Sequence, residues 1–493
     1  MAQDACKTIK SGMVKNMKYE VVIGLEVHCE LATKSKIYCG CSTQFGGDPN
    51  THCCPICIGM PGVLPVLNKR VVEFAAKAGI ATNCTISRFS KQDRKNYFYP
   101  DLPKAYQTSQ FDLPLCIGGH LDIKPEAGPK TIGITRIHIE EDAGKLNHDS
   151  WGTGSLVDYN RCGVPLIEIV SEPDMRSAEE AKLYLEKLKS ILEYTEVSDC
   201  RMEEGSLRVD VNLSIHPFGQ EKLGTRTEMK NLNSFRSIVR SVEGETQRQI
   251  ELIEAGGVVV QETRRWDDDK GYSVSMRSKE EAHDYRYFPE PDLAPIEIDD
   301  EWFQDIKNSL PELPEQRIKR YIEILGIPEY DASIITSSKH LADVFEEAVS
   351  HNASPKAASN WIMGEILRLL NDINIELNDI PIKGKDLADL ILLVENSKIS
   401  LNIAKRVLRI MFETGEGPAY IVKREGLEIV SDEGEILTIV KNVIQNNPQS
   451  VIDYKAGKEK AIGFLVGQVM KESKGKANPA VVNKAIKEEL DKL

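Results

Sequence analysis

The sequence predicts an α+β fold, in which a sheet of antiparallel strands is followed by a region made of helices. The first observation is strict alternation over residues 19–30, where Glu26 and His28 would share one face and apolar residues the other. The second is a change near residue 300 to apolar residues at helical spacing. The length of 493 residues suggests roughly three domains.

Three later segments repeat the alternation of the first, each with charged residues opposite an apolar face. They are residues 132–142 with Glu140 and Glu141, residues 165–172 with Glu168, and residues 208–215 with Arg208 and Asp210. Carboxylates on neighbouring strands repel each other unless cations offset their charge. Oxygen ligands with an occasional His suit Mg²⁺ or Mn²⁺, so these segments predict an ATP site on an acidic sheet. A plain half-exposed strand, which alternates in the same way, is the alternative.

Composition excludes several classes of protein. The formal net charge of −14 argues against broad, sequence-independent nucleic-acid binding, although it allows a local basic patch. No apolar run approaches the roughly 18 residues of a membrane span, and the first residues lack the apolar core of a signal peptide. The eleven cysteines all lie at or before Cys200, and their odd number argues against a disulfide framework. The sequence therefore predicts a cytoplasmic protein without a membrane contact.

Two close pairs of cysteines, Cys39 with Cys41 and Cys54 with Cys57, are separated by a loop rich in turn-forming residues. Four thiols at this spacing supply the ligands of a closed, tetrahedral zinc site. Cys53 adjoins Cys54, but Cys54 makes the usual two-residue gap to Cys57. The alternative is that the cysteines are small buried apolar residues. We expect one structural zinc ion that holds this loop in place.

A loop of basic and aromatic residues spans residues 94–107 and includes Lys95 and Tyr97. Such side chains can stack on a base or bind a phosphate, whereas covering a core edge is the alternative. Segments of mixed charge follow at residues 225–233 and 264–269. Because no Walker A sequence occurs, the phosphates of a bound nucleotide would depend on metal and on arginines.

The region after residue 300 contains clear helix starts and one interruption. Ser354, followed by a proline, and Ser400 each precede an apolar helical stripe and are expected to begin a helix. Residues 414–418, Thr-Gly-Glu-Gly-Pro, predict a hinge.

The last segment of the chain is locally basic. Residues 441–493 contain ten lysines and six acidic residues, which gives a net charge of about +4. This segment is the candidate nucleic-acid patch, and a solvated lysine-rich helix surface is the alternative. Gly463 and Gly467, with Leu465 and Val469 nearby, suggest that one of its helices packs closely on a neighbour.

With these segments in view, the chain resembles the GatB/GatE family, which contains the B subunit of the bacterial aspartyl/glutamyl-tRNA amidotransferases. The blocks that carry the resemblance are residues 24–28, 94–101, 140–145, 202–206, 230–234 and 283–289. The resemblance implies a cradle related in fold to glutamine synthetase, with the zinc loop, over residues 1–298. It also implies a helical domain over residues 299–415 and a mobile helical tail over residues 416–493 that contacts tRNA.

The resemblance implies a ligase that forms a carbon–nitrogen bond. In the family, ATP and Mg²⁺ are used to phosphorylate the side-chain carboxylate of glutamate or aspartate misacylated onto tRNA(Gln) or tRNA(Asn). Ammonia released from glutamine then displaces the phosphate. The implied assembly is a heterotrimer, in which the other two members are an amidase (glutaminase) and a small third protein, the A and C subunits of the amidotransferase.

The resemblance and the acidic strands together give the candidate site residues. The expected catalytic residues are Glu26, His28, Glu141, Glu168 and Asp210. Of these, His28, Glu141 and Glu168 are expected to bind Mg²⁺. The candidates for binding ATP or substrate are Lys95, Tyr97, Arg208, Glu228, Lys230 and Arg265. Strict alternation puts Glu141 on the face opposite Glu140, so either a bulge turns Glu141 inward or Glu140 is the ligand.

Two other functions remain as alternatives. An amide ligase that acts on a free amino acid would use the same chemistry, but a small substrate needs no lysine-rich tail. A tRNA-binding scaffold without catalysis would use the acidic strands only for salt bridges. Consumption of ATP with and without misacylated tRNA distinguishes the three.

Overall fold

A computed structural model describes residues 18–148, 154–278, 285–373, 375, 377, 380–428, 433–455, 460–473, 477 and 479–492. His283 and Asp284, which begin one of the family-like blocks, lie outside the described residues. The chain divides into two compact units, Met1–Leu313 and Pro314–Leu493. The predicted α+β class is confirmed, because the described strands all lie in the first unit and the second unit is helical.

The strands of the first unit vary from short bridging pairs to strands of twelve residues. They are β1 (Tyr19–Glu30), β2 (Thr85–Ile86), β3 (Phe89–Ser90), β4 (Asp93–Asn96), β5 (Tyr106–Ser109), β6 (Cys116–Ile117), β7 (His120–Ile123), β8 (Lys130–Glu141), β9 (Lys145–His148), β10 (Ser155–Asp158), β11 (Pro165–Ser171), β12 (Leu207–Pro217), β13 (Thr227–Lys230), β14 (Glu262–Asp267), β15 (Tyr272–Ser278), β16 (Phe288–Pro289) and β17 (Ile296–Glu297). The helices of this unit are α1 (Lys69–Ala81), α2 (Ala178–Tyr194), α3 (Phe235–Glu254) and α4 (Asp300–Asn308).

One large sheet organises the first unit, with β1 near its centre. Its strand order is β15-β14-β13-β12-β1-β11-β8-β6-β2, and β7 also pairs with β8. The pairs are antiparallel, as predicted, except that β13 and β14 run parallel. Shorter sheets join β16, β4 and β5, then β9 and β10, and finally β3 and β17.

The apolar face of the large sheet forms the core of the first unit. Ile23, Leu25 and Val27 of β1 are buried there with residues of β8, β11 and β12. Apolar side chains of α1, α2 and α3 belong to the same core cluster, so the helices cover this face. Trp302 and Ile306 of α4 also pack on it, which is why the compact unit extends to Leu313. The opposite, polar face of the sheet carries the candidate site.

Side-chain hydrogen bonds cap the first turns of α1 and α2. The Asn68 side chain accepts a hydrogen bond from the backbone N–H of Arg70 at the start of α1, and Ser177 accepts one from Glu180 at the start of α2. The Glu180 carboxylate does not return to Ser177 as a capping box would have it. It instead accepts the Arg176 N–H at 2.6 Å and pairs with Lys130 at 2.8 Å.

The second unit is built of helices with one π-helical turn at Ile362–Ile366. The helices are α5 (Pro314–Glu323), α6 (Glu329–Ile335), α7 (Lys339–Ser350), α8 (Pro355–Trp361), α9 (Leu367–Ile373), α10 (Gly384–Glu395), α11 (Leu401–Thr414), α12 (Pro418–Arg424), α13 (Glu433–Asn446), α14 (Pro448–Lys455), α15 (Lys460–Glu472) and α16 (Pro479–Asp491). Ser354 and Ser400 cap α8 and α11, which confirms both predicted helix starts. No helix among the described residues is long and apolar enough to cross a membrane.

Two hydrophobic clusters occupy the second unit. The first runs from Tyr321 to Leu427, and the second from Ile436 to Leu490. The predicted hinge at residues 414–418 is a short connection in which Gly415 adopts φ +70° and closes α11. The next helix, α12, packs Ile421 and Val422 into the first cluster. The change of core thus falls after Leu427.

Candidate active site and cysteine cluster

The register of the large sheet brings the predicted acidic residues onto one face. His28 lies opposite Glu168 of β11 on one side and opposite Arg208 of β12 on the other. Glu26 lies opposite Asp210. Residues that pair directly across an antiparallel sheet point to the same face, so the central strand joins the two halves of the site.

His28, Glu140 and Glu168 form the first candidate metal group. His28 Nε2 lies 3.7 Å from Glu140 Oε1 and 3.6 Å from Glu168 Oε2. Each of the three can offer one ligand atom, and these atoms lie within 4.8 Å of one another. A mixed set of one imidazole nitrogen and two carboxylate oxygens suits a divalent cation.

The charges of this group are strongly coupled. Burial lowers the pKa of His28, but the hydrogen bond and charge of Glu168, together with Glu140, outweigh it and raise that pKa. Burial disfavours the charged form of Glu168, yet its contacts with His138 and His28 hold its pKa well below the usual range. Two ionised carboxylates thus face one another beside an imidazole, and a bound cation would offset their repulsion.

Glu141 is not in this group. The sequence left open whether a bulge turns Glu141 inward or whether Glu140 takes its place as the ligand. The pairing of β8 with β11 runs without a shift through Glu141 opposite Pro165 and Glu140 opposite Leu166. No bulge therefore turns Glu141, which lies on the other face. There its carboxylate forms a salt bridge with Lys104 and accepts the backbone N–H of Thr108 at 2.8 Å.

Sequence reasoning missed His138, although the alternation of β8 places it on the same face as Glu140. Its Nε2 lies 3.3 Å from Glu168 Oε2 and 3.6 Å from Glu140 Oε2. The Arg136 Nε–H donates to its Nδ1 at 3.3 Å. His138 thus contacts the carboxylates of both Glu140 and Glu168 and helps to hold them in position. The alternating sequence His138-Ile-Glu140 was the signal that could have revealed this role.

A second candidate metal group combines Glu26, Asp210 and Glu228, whose carboxylate oxygens lie within 4.8 Å of one another. The Lys230 ammonium group forms salt bridges with Asp210 and, at 3.0 Å, with Glu228. Burial and the charge of Glu168 raise the pKa of Glu26, because both disfavour its ionised form. The register links Glu228 to Thr263 and Lys230 to Arg265 of β14, which extends the polar face across the sheet.

Basic side chains surround the two carboxylate groups. Lys95 of β4 has no salt bridge among the described residues. Burial alone would lower the pKa of its ammonium group, but the negative charges of Glu140 and Glu168 outweigh this effect and raise that pKa. Its ammonium group lies 5.9 Å from the ring centre of Tyr97 and 5.2 Å from that of Tyr285. The two aromatic rings hold the lysine at the edge of the acidic face, where the charges of Glu140 and Glu168 act on it.

Arg208 and Arg265 differ in their surroundings. Arg208 donates to Asp142 at 2.6 Å, and its buried Nε has no hydrogen-bond partner within the described chain. Arg265 is exposed on β14. The structure therefore brings Glu26, His28, Glu168, Asp210, Glu228 and Lys230 onto one surface, with Lys95, Tyr97, Arg208 and Arg265 around it.

The four predicted cysteines come together in a separate cluster. One sulfur each from Cys39, Cys41, Cys54 and Cys57 lies within 4.8 Å of the others, whereas Cys53 is outside the group. The Cys54 N–H lies 3.1 Å from Cys57 Sγ. The hydrogen bond from Cys39 lowers the pKa of Cys57 to about 5. Four converging thiols are the ligand set of a structural zinc site.

The fold and these groups define an α+β protein that presents two candidate metal groups on one sheet face. Comparison with known proteins then gives the family. The model of the GatB/GatE catalytic domain matches residues 21–304, and that of the GatB domain matches residues 343–490. The chain belongs to the GatB/GatE family, which confirms the resemblance inferred from its sequence blocks.

Curated relatives match over nearly the whole chain. The B subunit of the aspartyl/glutamyl-tRNA(Asn/Gln) amidotransferase of Caldicellulosiruptor bescii is 67% identical over 97% of this chain and 100% of its own. The protein of the same name from Caldanaerobacter subterraneus is 62% identical, and that from Brevibacillus brevis 56%, each with the same coverage.

Proposed function

We propose that the acidic face of the large sheet is where this amidotransferase subunit phosphorylates the side-chain carboxyl group of a misacylated tRNA. The relatives are named for an aspartyl/glutamyl-tRNA(Asn/Gln) amidotransferase, and the chain is accordingly a ligase subunit that acts in translation with other subunits and tRNA. The finer proposal is that glutamate on tRNA(Gln), aspartate on tRNA(Asn), or both are the substrates.

The single observation that carries the proposal is the convergence of His28, Glu140 and Glu168 beside the second group, Glu26, Asp210 and Glu228. A carboxylate is a poor acyl donor until it is converted to an acyl phosphate. Bringing a carboxylate next to a triphosphate requires strong positive charge. Proteins usually hold Mg²⁺ at such a place through one or two carboxylates together with the phosphates of the substrate.

The residues present fit Mg²⁺ and ATP. His28, Glu140 and Glu168 would hold one ion, and Glu26, Asp210 and Glu228 a second. When bound, Mg²⁺ neutralises the phosphate oxygens and stabilises the charge that develops during phosphoryl transfer.

The remaining steps belong to residues of this chain. Lys95, without a carboxylate partner in the described chain, is available to bind the substrate carboxylate or the transferred phosphoryl group. Arg208 has an unused buried N–H, and Lys230 and Arg265 extend the positive charge along the face toward β14. His138 keeps the Glu140 and Glu168 carboxylates in position.

Ammonia must then attack the acyl phosphate carbonyl, and phosphate leaves. The relatives are named as one subunit of an amidotransferase, and we propose that the ammonia comes from another subunit. We propose that the partners are the amidase that hydrolyses glutamine and the small third protein, the A and C subunits of the amidotransferase. The cysteine cluster would hold a structural zinc ion.

The test is to compare His28→Ala and Glu168→Ala with the wild type in the assembled complex. Each variant is incubated with misacylated tRNA, γ-labelled ATP, Mg²⁺ and ammonium, and both phosphate release and amide formation are followed. We expect at least a hundredfold loss of both products, because these variants lack a ligand needed for activation. Ammonium should not restore amidation, since the missing step precedes the use of ammonia.

The matched control is a complex whose glutaminase is inactive, in which ammonium should restore amidation. Wild-type rates in His28→Ala and Glu168→Ala would show that the acidic face is structural. Loss of amidation with normal, tRNA-dependent phosphate release would instead place phosphorylation elsewhere. ATP consumption without any tRNA would favour an amide ligase that acts on a free amino acid.

A further inference from the structure

Lys36 is a buried lysine beside the cysteine cluster, and the proposed reaction does not use it. Its relative exposure is 0%. Lysine is almost never fully buried without a partner, because an ammonium group loses much solvation when it leaves water. The groups around its Nζ therefore indicate which charge this lysine offsets.

Two groups accept from the Lys36 ammonium group. One is the carbonyl oxygen of Tyr159 at 3.3 Å, and the other is Cys57 Sγ at 3.7 Å. Within the described part of the chain, Lys36 makes no salt bridge with a carboxylate. A neutral carbonyl cannot balance a full positive charge, so the sulfur of Cys57 is its anionic partner when that cysteine is a thiolate.

The backbone fixes Lys36 at the cluster. Its N–H donates to the carbonyl oxygen of Cys41 at 3.0 Å, which ties it to a second cysteine of the group. On the other side, Gly163 adopts φ +78°, and a Cβ at this position would lie 3.5 Å from Cys57 Cβ and 3.8 Å from Lys36 Cδ. The lysine stem thus lies between the cysteine loop and the segment before β11.

We propose that Lys36 is the counter-charge of the cysteine cluster and stabilises a tetrathiolate zinc centre through Cys57. Zn²⁺ with four thiolates has a formal net charge of about −2, which is costly in a partly buried site. A buried ammonium group at one thiolate offsets half of that charge. Groups of this kind around the ligands commonly change metal affinity by about 10–100-fold.

This inference rests on the proposed zinc site and extends it to a residue outside the four ligands. Lys36 also lines a cavity of about 220 Å³ together with Cys57, Lys104 and Glu141.

The test measures zinc binding directly. Purified wild type is first analysed for zinc, and the rate of zinc transfer to a coloured chelator is then followed in wild type, Lys36→Met and Lys36→Gln. Both substitutions remove the charge and shorten the side chain by one atom, but Lys36→Met leaves an apolar end, whereas Lys36→Gln keeps N–H groups that can donate a hydrogen bond. The matched control is Lys34→Met, since Lys34 is exposed and two residues away.

We expect zinc to leave both Lys36 variants at least ten times faster than the wild type, with no change in Lys34→Met. A wild-type rate in Lys36→Gln overturns the proposal even when Lys36→Met fails to fold. A wild type that contains no zinc and gains none on reconstitution refutes the zinc site itself. The two failures are therefore distinguishable. Cys57→Ser provides a further check, because Lys36→Gln should accelerate release no further once the thiolate is absent.

Discussion

Glu140 and Glu141 are adjacent in the chain but belong to different networks on opposite faces of β8. Glu140 faces His28 and the second carboxylate of the first metal group, whereas Glu141 binds Lys104 and the Thr108 N–H. Replacing each by glutamine keeps its size and removes its charge. The two variants therefore separate the face that would bind metal from the face that would not.

We expect Glu140→Gln to raise the Mg²⁺ concentration needed for half-maximal phosphate release by about tenfold or more, because one anionic ligand is lost. Glu141→Gln should leave this Mg²⁺ requirement unchanged, with ammonium as nitrogen donor and misacylated tRNA at saturation. The measurement is phosphate release against Mg²⁺ concentration for both variants. The opposite pattern would mean that β8 rearranges and that Glu141 is the ligand.

Alternation alone explains much of what the sequence could predict at this scale. It placed Glu26, His28, Glu168 and Asp210 on one face, and applied without exception it also selects Glu140 over Glu141. It could not predict the partner of Glu141, because Lys104 is 37 residues away and reaches it only through the loop before β5. Side-chain partners across such distances depend on tertiary packing, which a local pattern does not contain.

At the scale of elements, two kinds of helix glycine can be distinguished. A Cβ at Gly384, the first residue of α10, would meet the backbone carbonyl oxygen of Val344 at 2.3 Å and the backbone N of Ala348 at 2.8 Å. These are backbone atoms of α7, which cannot move without shifting the helix. Gly384 therefore allows α7 and α10 to approach each other closely.

Gly463 and Gly467 of α15 have no such neighbour. The sequence suggested that they mark close helix packing, but a Cβ at either position would meet no described atom within 4 Å. The helix packs through Leu465 and Val469 instead, which are fully buried. The predicted packing of this helix is thus found at Leu465 and Val469 and not at the two glycines, because the spacing of two glycines fits an exposed stripe as well as a contact stripe.

These environments predict opposite effects of an added methyl group. Gly384→Ala should destabilise the second unit by about 1–3 kcal/mol, because of overpacking against backbone. Gly463→Ala and Gly467→Ala should each stabilise α15 by up to about 1 kcal/mol, since alanine favours helix. Thermal unfolding followed by circular dichroism measures the three shifts. A lower melting temperature for the α15 variants would show that this face is covered by another group.

The sequence pattern did not predict the direction in which β14 runs. Helix α3 lies between β13 and β14, and a helical connection allows neighbouring strands to run parallel. The antiparallel strands follow from local alternation, but the parallel pair depends on where α3 packs. The helix starts at Ser354 and Ser400 were predictable because a cap is a local interaction.

At the scale of the whole molecule, the described residues form three hydrophobic clusters, one in the first compact unit and two in the second. The exact boundaries were less accessible to sequence reasoning. Pro418 follows a glycine-rich connection that resembles a hinge, yet α12 buries Ile421 and Val422 in the preceding cluster. Glycine and proline indicate where a helix ends. The boundary between two domains depends instead on which hydrophobic core the next helix joins.

The last cluster carries the basic surface, and we predict that it serves tRNA and not catalysis. Its exposed lysines include Lys460, Lys471, Lys484 and Lys487, whereas both candidate metal groups lie in the first unit. A chain that ends at Leu427 keeps the first two clusters intact. In the assembled complex it should bind tRNA at least tenfold more weakly and with a flatter dependence on salt, because fewer phosphates are neutralised.

A charge variant separates the role of the lysines from that of the helices themselves. Changing Lys460, Lys471, Lys484 and Lys487 together to glutamine keeps α15 and α16 and should reproduce much of the deletion's loss of affinity. The matched control changes four exposed lysines of the preceding cluster to glutamine, Lys356, Lys385, Lys398 and Lys423. It alters the net charge equally and should have a smaller effect. Glutaminase activity of the complex should persist in all three variants. Equal losses of tRNA affinity in the two lysine variants would mean that net charge, and not the last cluster, attracts the tRNA.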